Sequence, residues 1–332
     1  MVGGDGGKLQ SRPTDPSAHG GCASVRSSWA LAVAAAVALG AGAEATAAQQ
    51  VPDTLFHPNV GTARWAAGTG PRLGIDEGHH NFHTATGRYR PFARLAEGDG
   101  FRVLRLQGVL DETSLRSIDI LVIANPLNAR NAGNNWSLPT PSAYTPAEVR
   151  AVRSFVARGG ALLLIADHMP FAGAASALGE AFGVRYFNGF AQQAGGNSIF
   201  TLRRGRTLLS HDVTDGRTPR ERIDSLVVFT GSALSVTGGT PVLRLPDSTA
   251  VDLPQVAWQF PSGTPSVPGD GLLFAAAVTV GRGRVFAAGE AAMFSAQRAG
   301  PDGNTFMGFN APAASQNAQF VLNVLHWLAG PP

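Results

Sequence analysis

Residues 159–171 read GGALLLIADHMPF, and this stretch decides the fold class. Its apolar run from Ala161 to Ala166 contains no polar residue, which is typical of a strand buried on both faces of a parallel sheet. The run leads directly into Asp167 and His168, so two ionisable side chains stand where the strand ends. A second run, DILVIA at 119–124, predicts another buried strand of the same sheet.

Helices are predicted between the strands. Thr145-Pro146-Ala147-Glu148 has the residues of a capping box with proline at the first helical position, and Gly159-Gly160 stops the helix. The alternation favours an α/β fold with a parallel, doubly wound sheet. The other predicted strands are Leu73–Ile75, Phe101–Leu106, Leu272–Val280 and Arg284–Ala288, the last two joined by a turn at 281–283, and the other predicted helices are Pro91–Gly98, 174–182 and one that starts at Ser315.

Residues 71–330 are predicted to form a single domain. Residues 185–270 alternate short β-like runs with Gly and Pro, so we expect a β-rich insertion there, and we expect 48–70 to be an irregular entry segment. With 44% hydrophobic and 15% charged residues, the chain of 332 residues is neither a disordered tail protein nor a coiled coil. The pI is about 9.6, but Lys8 is the only lysine and the arginines are spread out, so we expect no nucleic acid partner.

The first 47 residues are predicted to be a signal peptide. Arg26 precedes an apolar run at 29–43, and Ala45-Thr46-Ala47 fits a cleavage site, so we expect an exported, periplasmic or extracellular protein. The run is shorter than the ~20 residues that span a bilayer, so no stable span is expected after cleavage; an uncleaved anchor is the alternative. Because the only cysteine, Cys22, precedes the run, the mature chain would have no disulfide, thiolate metal site or cysteine nucleophile.

Polar residues follow four of the predicted strands. The carboxyl ends of parallel strands share one edge of a sheet, and ligands bind beyond that edge, so we expect one shared pocket on this rim. Structural roles are the alternative for each residue: a helix cap, a solvated turn or an ion pair with an arginine. The rim candidates are Asp76, Glu77, His79, His80 and His83 after the first strand, Asn125 after the second, Asp167 and His168 after the third, and Glu290 after the last.

The stretch 125–143 is a long polar loop with Trp136 and the asparagines 125, 128, 131, 134 and 135. Its amides and its indole ring are groups that bind sugars, so Asn125 and Trp136 are candidate ligand-binding residues together with His79 and His80. The alternative is a mobile, solvated excursion. Gln297 and Asn310 either belong to the same rim or satisfy loop backbone.

The rim residues are compatible with three kinds of chemistry. A catalytic zinc or similar divalent metal needs about three His, Asp or Glu ligands and an open position, and His79, His83, Asp167 and His168 are the candidate ligands, although no HExxH motif is present. Metal-free acid–base catalysis would use His168 with Asp167, Glu290 or Glu77. The third alternative is binding without catalysis.

Four segments resemble an uncharacterised bacterial family of the class I glutamine amidotransferase-like superfamily: DEGHHNFHT (76–84), GGALLLIADHMPF (159–171), GRGRVFAAGEAAMFSAQ (281–297) and QNAQFVLNVLHWL (316–328). GRGRVF and a terminal helix ending in His-Trp are also similar to ThuA-like proteins of trehalose utilisation, and GldG-type domains are more distant relatives. The resemblance implies a flavodoxin-like, doubly wound, mostly parallel sheet. Glutaminase members place a cysteine at a sharp turn after a central strand, here Ala166-Asp167-His168, so its absence argues against glutamine hydrolysis.

Together these features predict an exported, amidotransferase-like protein with a rim site for a small polar or carbohydrate-like ligand, and a hydrolase is one form that the site could take. The alternative is a non-catalytic ligand-binding or scaffold domain associated with a transport system. The geometry of the rim separates the two.

Overall fold

Residues 50–58, 60–133, 135–193 and 195–331 are described by the computed structural model, and they fall in one unit, Ala45–Pro332. The predicted signal peptide, its cysteine and Asn134 lie outside the described residues. Within these ranges, no helix has the length and apolar character that a bilayer crossing requires.

The chain forms six α-helices and seventeen strands in its described part. The helices are α1 Arg90–Gly98, α2 Glu112–Arg116, α3 Pro146–Ala157, α4 Phe171–Glu180, α5 Asp212–Asp215 and α6 Asn317–Ala329. The strands are β1 Val51–Pro52, β2 Arg72–Asp76, β3 Arg102–Leu106, β4 Ile120–Ala124, β5 Ala161–Ile165, β6 Val184–Tyr186, β7 Phe190–Gln193, β8 Phe200–Arg203, β9 Ser225–Val228, β10 Leu234–Val236, β11 Thr240–Arg244, β12 Thr249–Asp252, β13 Ser266–Pro268, β14 Leu273–Val280, β15 Gly283–Ala288, β16 Ala296–Ala299 and β17 Thr305–Gly308.

The main sheet has nine strands in the order β3-β2-β4-β5-β15-β14-β10-β6, with β11 also paired to β14. The first five strands in this order are parallel. The chain then reverses between β14 and β15 at residues 281–282, and a connection this short joins only antiparallel strands. The predicted α/β class is confirmed, but the sheet as a whole is mixed rather than mostly parallel because the strands beyond β15 pair in antiparallel fashion.

Helices cover both faces of the parallel strands. Along β4, Ile120 and Val122 join a core cluster with residues of α1 and α6, whereas Leu121 and Ile123 join a second cluster with residues of α3 and α4. This is why β4 and β5 read as unbroken apolar runs in the sequence: neither face meets water. The edge strand β3 differs, since it exposes Arg102 and Arg105.

The predicted β-rich insertion at 185–270 is tied to the main sheet. Its strands β6, β10 and β11 extend that sheet, while the others form two small antiparallel sheets, β13-β12-β7 and β8-β9. The three-stranded sheet lies next to the loop at 125–143, since Ser137 pairs with Val256 and the amide of Ala257 donates to the carbonyl of Trp136 at 2.8 Å.

The asparagine-rich loop is an ordered element. Asn131 is fully buried, and its Nδ2 donates to the carbonyls of Asn135 (2.9 Å) and Ser137 (3.0 Å). Asn128 caps the short 3₁₀ turn Ala129–Asn131 through the amide of Arg130. In the described part of the loop, asparagine side chains therefore satisfy the loop's own backbone, which does not favour the alternative of a solvated excursion.

Candidate functional site

Asp167 and Glu290 are neighbours because of the parallel register. Ile165 lies opposite Ala288 in the β5–β15 pair, and each acid comes two residues later. Glu290 is fully buried and accepts the amides of Ala292 and Met293, both at 2.8 Å, so it caps the 3₁₀ turn that follows β15. Two strand ends distant in sequence meet here, as the sequence predicted.

The pKa values of both carboxyl groups are raised. Burial and the charge of Asp167 raise the pKa of Glu290 well above its usual value. Burial also raises the pKa of Asp167, although the charge of His168 and the amide of His168, which donates to its Oδ1 at 2.7 Å, oppose the rise. Tyr89 lies beside them, fully buried, and burial and both acids raise its pKa well above 10.

A second network joins the end of β2 to the start of α3. The Nδ1 of His79 lies 2.9 and 3.0 Å from the two oxygens of Asp76, and its Nε2 lies 2.8 Å from Glu148 Oε1. Tyr144 and Asn81 also donate to Asp76, at 3.0 and 3.2 Å. Both imidazole nitrogens of His79 are therefore occupied by carboxylates of the protein itself.

The charges in this network stabilise one another. Burial lowers the pKa of His79, but the hydrogen bonds and charges of Asp76 and Glu148 outweigh it, and the net pKa is raised. Burial also opposes ionisation of Glu148, yet donors from Thr145, His79 and Leu110 lower its pKa from 4.5 to about 2. Glu148 occupies the third helical position, N3, of the predicted capping box, which is confirmed. This network supports the fold, and it leaves neither ring nitrogen of His79 free for the ligand-binding role predicted for it.

The predicted metal centre is not formed. In the part of the chain that the structure describes, no group of three or more His, Cys, Asp or Glu side chains is placed to hold a metal ion. His79 is turned toward Asp76 and Glu148, Asp167 lies against Glu290, and His83 stacks on Tyr89 with ring centroids 4.6 Å apart. Burial, and then the charges of Arg88 and His168, lower the pKa of His83 well below 6.5.

Glu77 is engaged on both oxygens. Oε1 accepts the amide of Ala85 at 2.9 Å, and Oε2 accepts Arg105 Nε at 2.7 Å. Its carboxylate fastens the loop after β2 to β3, so the structure does not support the catalytic role predicted for it.

His168 has a fixed tautomer. Its Nδ1 lies 2.6 Å from the carbonyl of Met169, and a carbonyl only accepts, so this nitrogen carries the hydrogen. Nε2 has no hydrogen-bond partner among the described residues, and it is accessible to solvent. The Nδ1 of His83 differs, because it is buried and also has no partner there. The ring stacks on Phe190 at 4.7 Å and meets Trp258 edge-on at 4.7 Å. His168 thus offers one acceptor in an aromatic setting.

A cleft of about 330 Å³ opens at the carboxyl edge of β2 and β4. The rings of Phe82 and Trp136 meet edge to face at 5.6 Å, and the Arg88 guanidinium lies 3.8 Å above the Phe82 ring. The indole Nε1 of Trp136 finds no partner within the described residues. Exposed His80 also lines the cleft, in the left-handed region at φ 47°. The lining residues are Glu77, His80, Asn81, Phe82, Arg88, Leu127, Ala132, Gly133 and Trp136.

Three further candidates do not line the cleft. Asn125 (φ 51°) accepts the amide of Asp167 at 2.9 Å and so links the ends of β4 and β5. Gln297 is fully buried in β16, and Asn310 donates to its carbonyl and to Asp53 Oδ2, both at 3.0 Å. Asn310 thus fastens the small sheet of β1, β16 and β17, whereas the side-chain amide of Gln297 is buried without a hydrogen-bond partner among the described residues. None of the three residues lines the cleft, so their predicted ligand-binding roles are not supported.

Sequence reasoning missed Asn81, Phe82 and Arg88. Asn81 and Phe82 lie inside DEGHHNFHT, where only the ionisable residues were chosen as candidates. Arg88 has no sequence signal, because only the fold brings its guanidinium over Phe82.

No family model matches the chain, and no curated protein matches it. Among solved structures, the N-terminal domain of mmIFT52 superposes with a TM-score of 0.53 at 15% identity, covering 78% of this chain and 98% of that one. A cytoplasmic protein from Salmonella typhimurium LT2 gives 0.45 at 14% identity, over 77% and 98%. A putative ThuA-like protein from Bacteroides uniformis gives 0.43 at 12% identity, over 80% and 94%. The first of these likenesses shows a shared fold without bearing on activity.

Proposed function

We propose that this protein is an exported, amidotransferase-like α/β protein that binds a small polar, carbohydrate-like ligand in the cleft at the edge of β2 and β4. The position of the cleft carries this proposal. Its walls come from the loop after β2, with Phe82 and Arg88, and the loop after β4, with Trp136. The parallel strands have the order β3-β2-β4-β5-β15, which is the 2-1-3-4-5 order of a flavodoxin-like sheet.

In that order the connections reverse direction between β2 and β4, and such a switch point is where open α/β sheets bind their ligands. The cleft's volume, about 330 Å³, is at the low end of the ~300–1,000 Å³ of small-molecule sites. A sugar ring has an apolar face and a rim of hydroxyl groups. The rings of Phe82 and Trp136 suit the face, while Arg88, Asn81 and His80 offer polar partners for the hydroxyls.

Binding without catalysis is the favoured form of this function. Among the described residues that line the cleft, the one carboxylate belongs to Glu77, and it is held by Arg105. A nucleophile or general base needs a free group within reach of the substrate, and within the described lining of the cleft no carboxylate is free in this way.

Binding of simple sugars tests the proposal. Saturation-transfer NMR of the mature protein with methyl glycosides of glucose, galactose and mannose should show contacts to at least one sugar. Trp136→Ala should abolish them, because the indole forms a wall of the cleft. Phe306→Ala removes an aromatic ring that is also exposed but lies on β17, and it should change nothing. No transfer to any sugar, or equal transfer with Trp136→Ala, would contradict the proposal.

A hydrolase is the second candidate, and one observation favours it. Asp167 and Glu290 form a buried acid pair next to His168, whose Nε2 is free to accept a proton. Release of nitrophenol from nitrophenyl glycosides, lost in both Asp167→Asn and His168→Gln, would support catalysis. If no nitrophenol is released above the buffer rate, catalysis is refuted and binding is the remaining function.

Export rests on the apolar run at 29–43 and on Ala45-Thr46-Ala47. N-terminal sequencing of the protein from the periplasm or medium should begin near residue 48, and an intact N-terminus on protein confined to the cytoplasm would refute export.

A further inference from the structure

Trp258 holds a backbone conformation that a bulky residue rarely adopts. Its φ is 67°, in the left-handed region where glycine is the usual occupant. It lies in a tight turn closed by the amide of Gln259 and the carbonyl of Val256 at 3.1 Å. The indole is 46% exposed, so burial of the whole side chain does not explain its presence. Strained positions of this kind persist where the surroundings fix them, and they cluster at ligand clamps.

The turn is fixed to the loop that forms the cleft. The amide of Ala257 donates to the carbonyl of Trp136 at 2.8 Å, and the amide of Leu138 donates to the carbonyl of Gln255 at 2.9 Å. These two backbone hydrogen bonds lie on either side of Ser137, and they fasten the segment after Trp136 to the turn that carries Trp258.

The two indoles belong to one aromatic strip. Trp136 lies 6.0 Å from the ring of His168, and His168 lies 4.7 Å from Trp258. Phe190 lies against both His168 and Trp258 at 4.7 Å, and Phe260, which is 40% exposed, packs on Phe190 at 5.2 Å. The strip thus continues from the cleft through His168 to two exposed rings that the cleft itself does not include.

We propose that Trp258 and Phe260 form a second subsite, so that the ligand is an oligosaccharide chain rather than a single sugar. This inference rests on the proposed binding function and names its ligand class. A sugar unit in the cleft stacks on Trp136, a later unit stacks on Trp258, and a hydroxyl between them donates to the Nε2 of His168. The His168 ring lies between the two indoles, 6.0 Å from Trp136 and 4.7 Å from Trp258, so one extended ligand could contact all three. Because the two indole rings are uncharged, a neutral amphipathic chain fits the strip better than an ionic polymer.

Chain length is the variable that tests this subsite. A glycan array with mono-, di-, tri- and tetrasaccharides of glucose, galactose, mannose and N-acetylglucosamine identifies the best series, and titration calorimetry measures it. In the wild-type protein, affinity should rise about tenfold from the monosaccharide to the trisaccharide, which is the effect of one additional stacked ring. Trp258→Gly should remove this gain and leave monosaccharide binding unchanged.

Glycine is the suitable replacement because it adopts the positive φ without strain, so a loss of affinity cannot be assigned to a distorted turn. Phe260→Ala is a second variant that leaves the turn intact, and Trp258→Phe should keep most of the gain. Circular dichroism melting of each variant checks that the fold is retained.

The outcomes separate the two proposals. If mono- and trisaccharides bind the wild-type protein equally, or if Trp258→Gly weakens both by the same factor, the second subsite is refuted while the cleft stands. The same holds if the strip serves an apolar protein segment, because Trp258→Gly then leaves every sugar affinity unchanged. If no glycan of any length binds, the binding function is refuted and the subsite with it.

Discussion

Glu148→Gln should destabilise the protein strongly and flatten part of its acid unfolding profile. The side chain is 8% exposed, and its two oxygens accept four hydrogen bonds: from His79 Nε2, the amide of Leu110, and the amide and hydroxyl of Thr145. Glutamine has nearly the same shape, but its amide nitrogen must face donors that now point at the carboxylate. The substitution therefore removes a charge and leaves at least one buried donor unsatisfied.

The expected magnitude follows from the pKa of Glu148. It is lowered from 4.5 to about 2 in the folded protein. Each tenfold change in proton affinity is worth about 1.4 kcal/mol, so ionised Glu148 contributes about 3 kcal/mol to the free energy of unfolding. A carboxyl group with a lowered pKa gives this stability above its unfolded pKa and loses it as the pH falls from about 4.5 toward 2.

Urea unfolding followed by circular dichroism between pH 3 and pH 6 measures the effect. At pH 6, Glu148→Gln should lower the free energy of unfolding by about 3 kcal/mol, and at pH 3 the difference from wild type should shrink to about 1 kcal/mol. Other carboxylates also titrate in this range, so the informative quantity is the difference between the two proteins at each pH rather than either profile alone.

Glu112→Gln is the matched control. Glu112 pairs with Arg116 at 3.3 Å on the surface of α2, with 67% of its side chain exposed, and its loss should change the free energy of unfolding by less than about 1 kcal/mol at every pH. The reasoning is refuted if Glu148→Gln behaves like this control, or if its difference from wild type stays constant between pH 3 and pH 6.

Two further predictions concern other buried acids. Because the pKa of Glu290 is raised, the folded state holds its proton more tightly than the unfolded chain does, and the free energy of unfolding should fall as the pH rises above about 4.5. Asp167→Asn removes the neighbouring charge, so urea midpoints measured between pH 4 and pH 8 should fall less in this variant. Asp99→Asn should lower the melting temperature markedly, because Asp99 Oδ2 lies 2.5 Å from the Nε2 of buried His326. Glu97→Gln, on the exposed side of α1, should leave the melting temperature unchanged. Equal melting temperatures for the two variants would contradict this prediction.

The strands and one helix start could be predicted because each leaves a local trace. The runs at 119–124 and 161–166 are unbroken because both faces of β4 and β5 are covered, and the box from Thr145 to Glu148 has the spacing that its hydrogen bonds require. The antiparallel half of the sheet left a weaker trace. Strands β6 and β10 have three residues each, too few for a periodic pattern to identify their partners.

The candidate site could be predicted only where the sheet itself sets the geometry. Asp167 and Glu290 meet because parallel register carries both past the same edge. By contrast, Glu148 faces His79 across 69 positions of sequence, and no spacing rule connects an N3 residue of a helix to a histidine in a distant loop. The turn with Trp258 is similar, since its place beside Trp136 depends on backbone bonds between two irregular segments.

The charged side chains of the rim mostly bind one another, and this affects which ligands the rim can recognise. Asp76 and Glu148 both bind His79, Glu77 is held by Arg105, and the carboxyl groups of Asp167 and Glu290 have raised pKa values. A charged ligand would have to compete with these internal partners, at the cost of leaving a buried charge unpaired. What remains available to a ligand is the set of aromatic faces, the polar side chains that line the cleft, among them Arg88 and His80, and the free His168 Nε2. Stacking combined with several hydrogen bonds selects a hydroxyl-rich molecule, which is why the cleft and the strip beyond it suit a sugar chain.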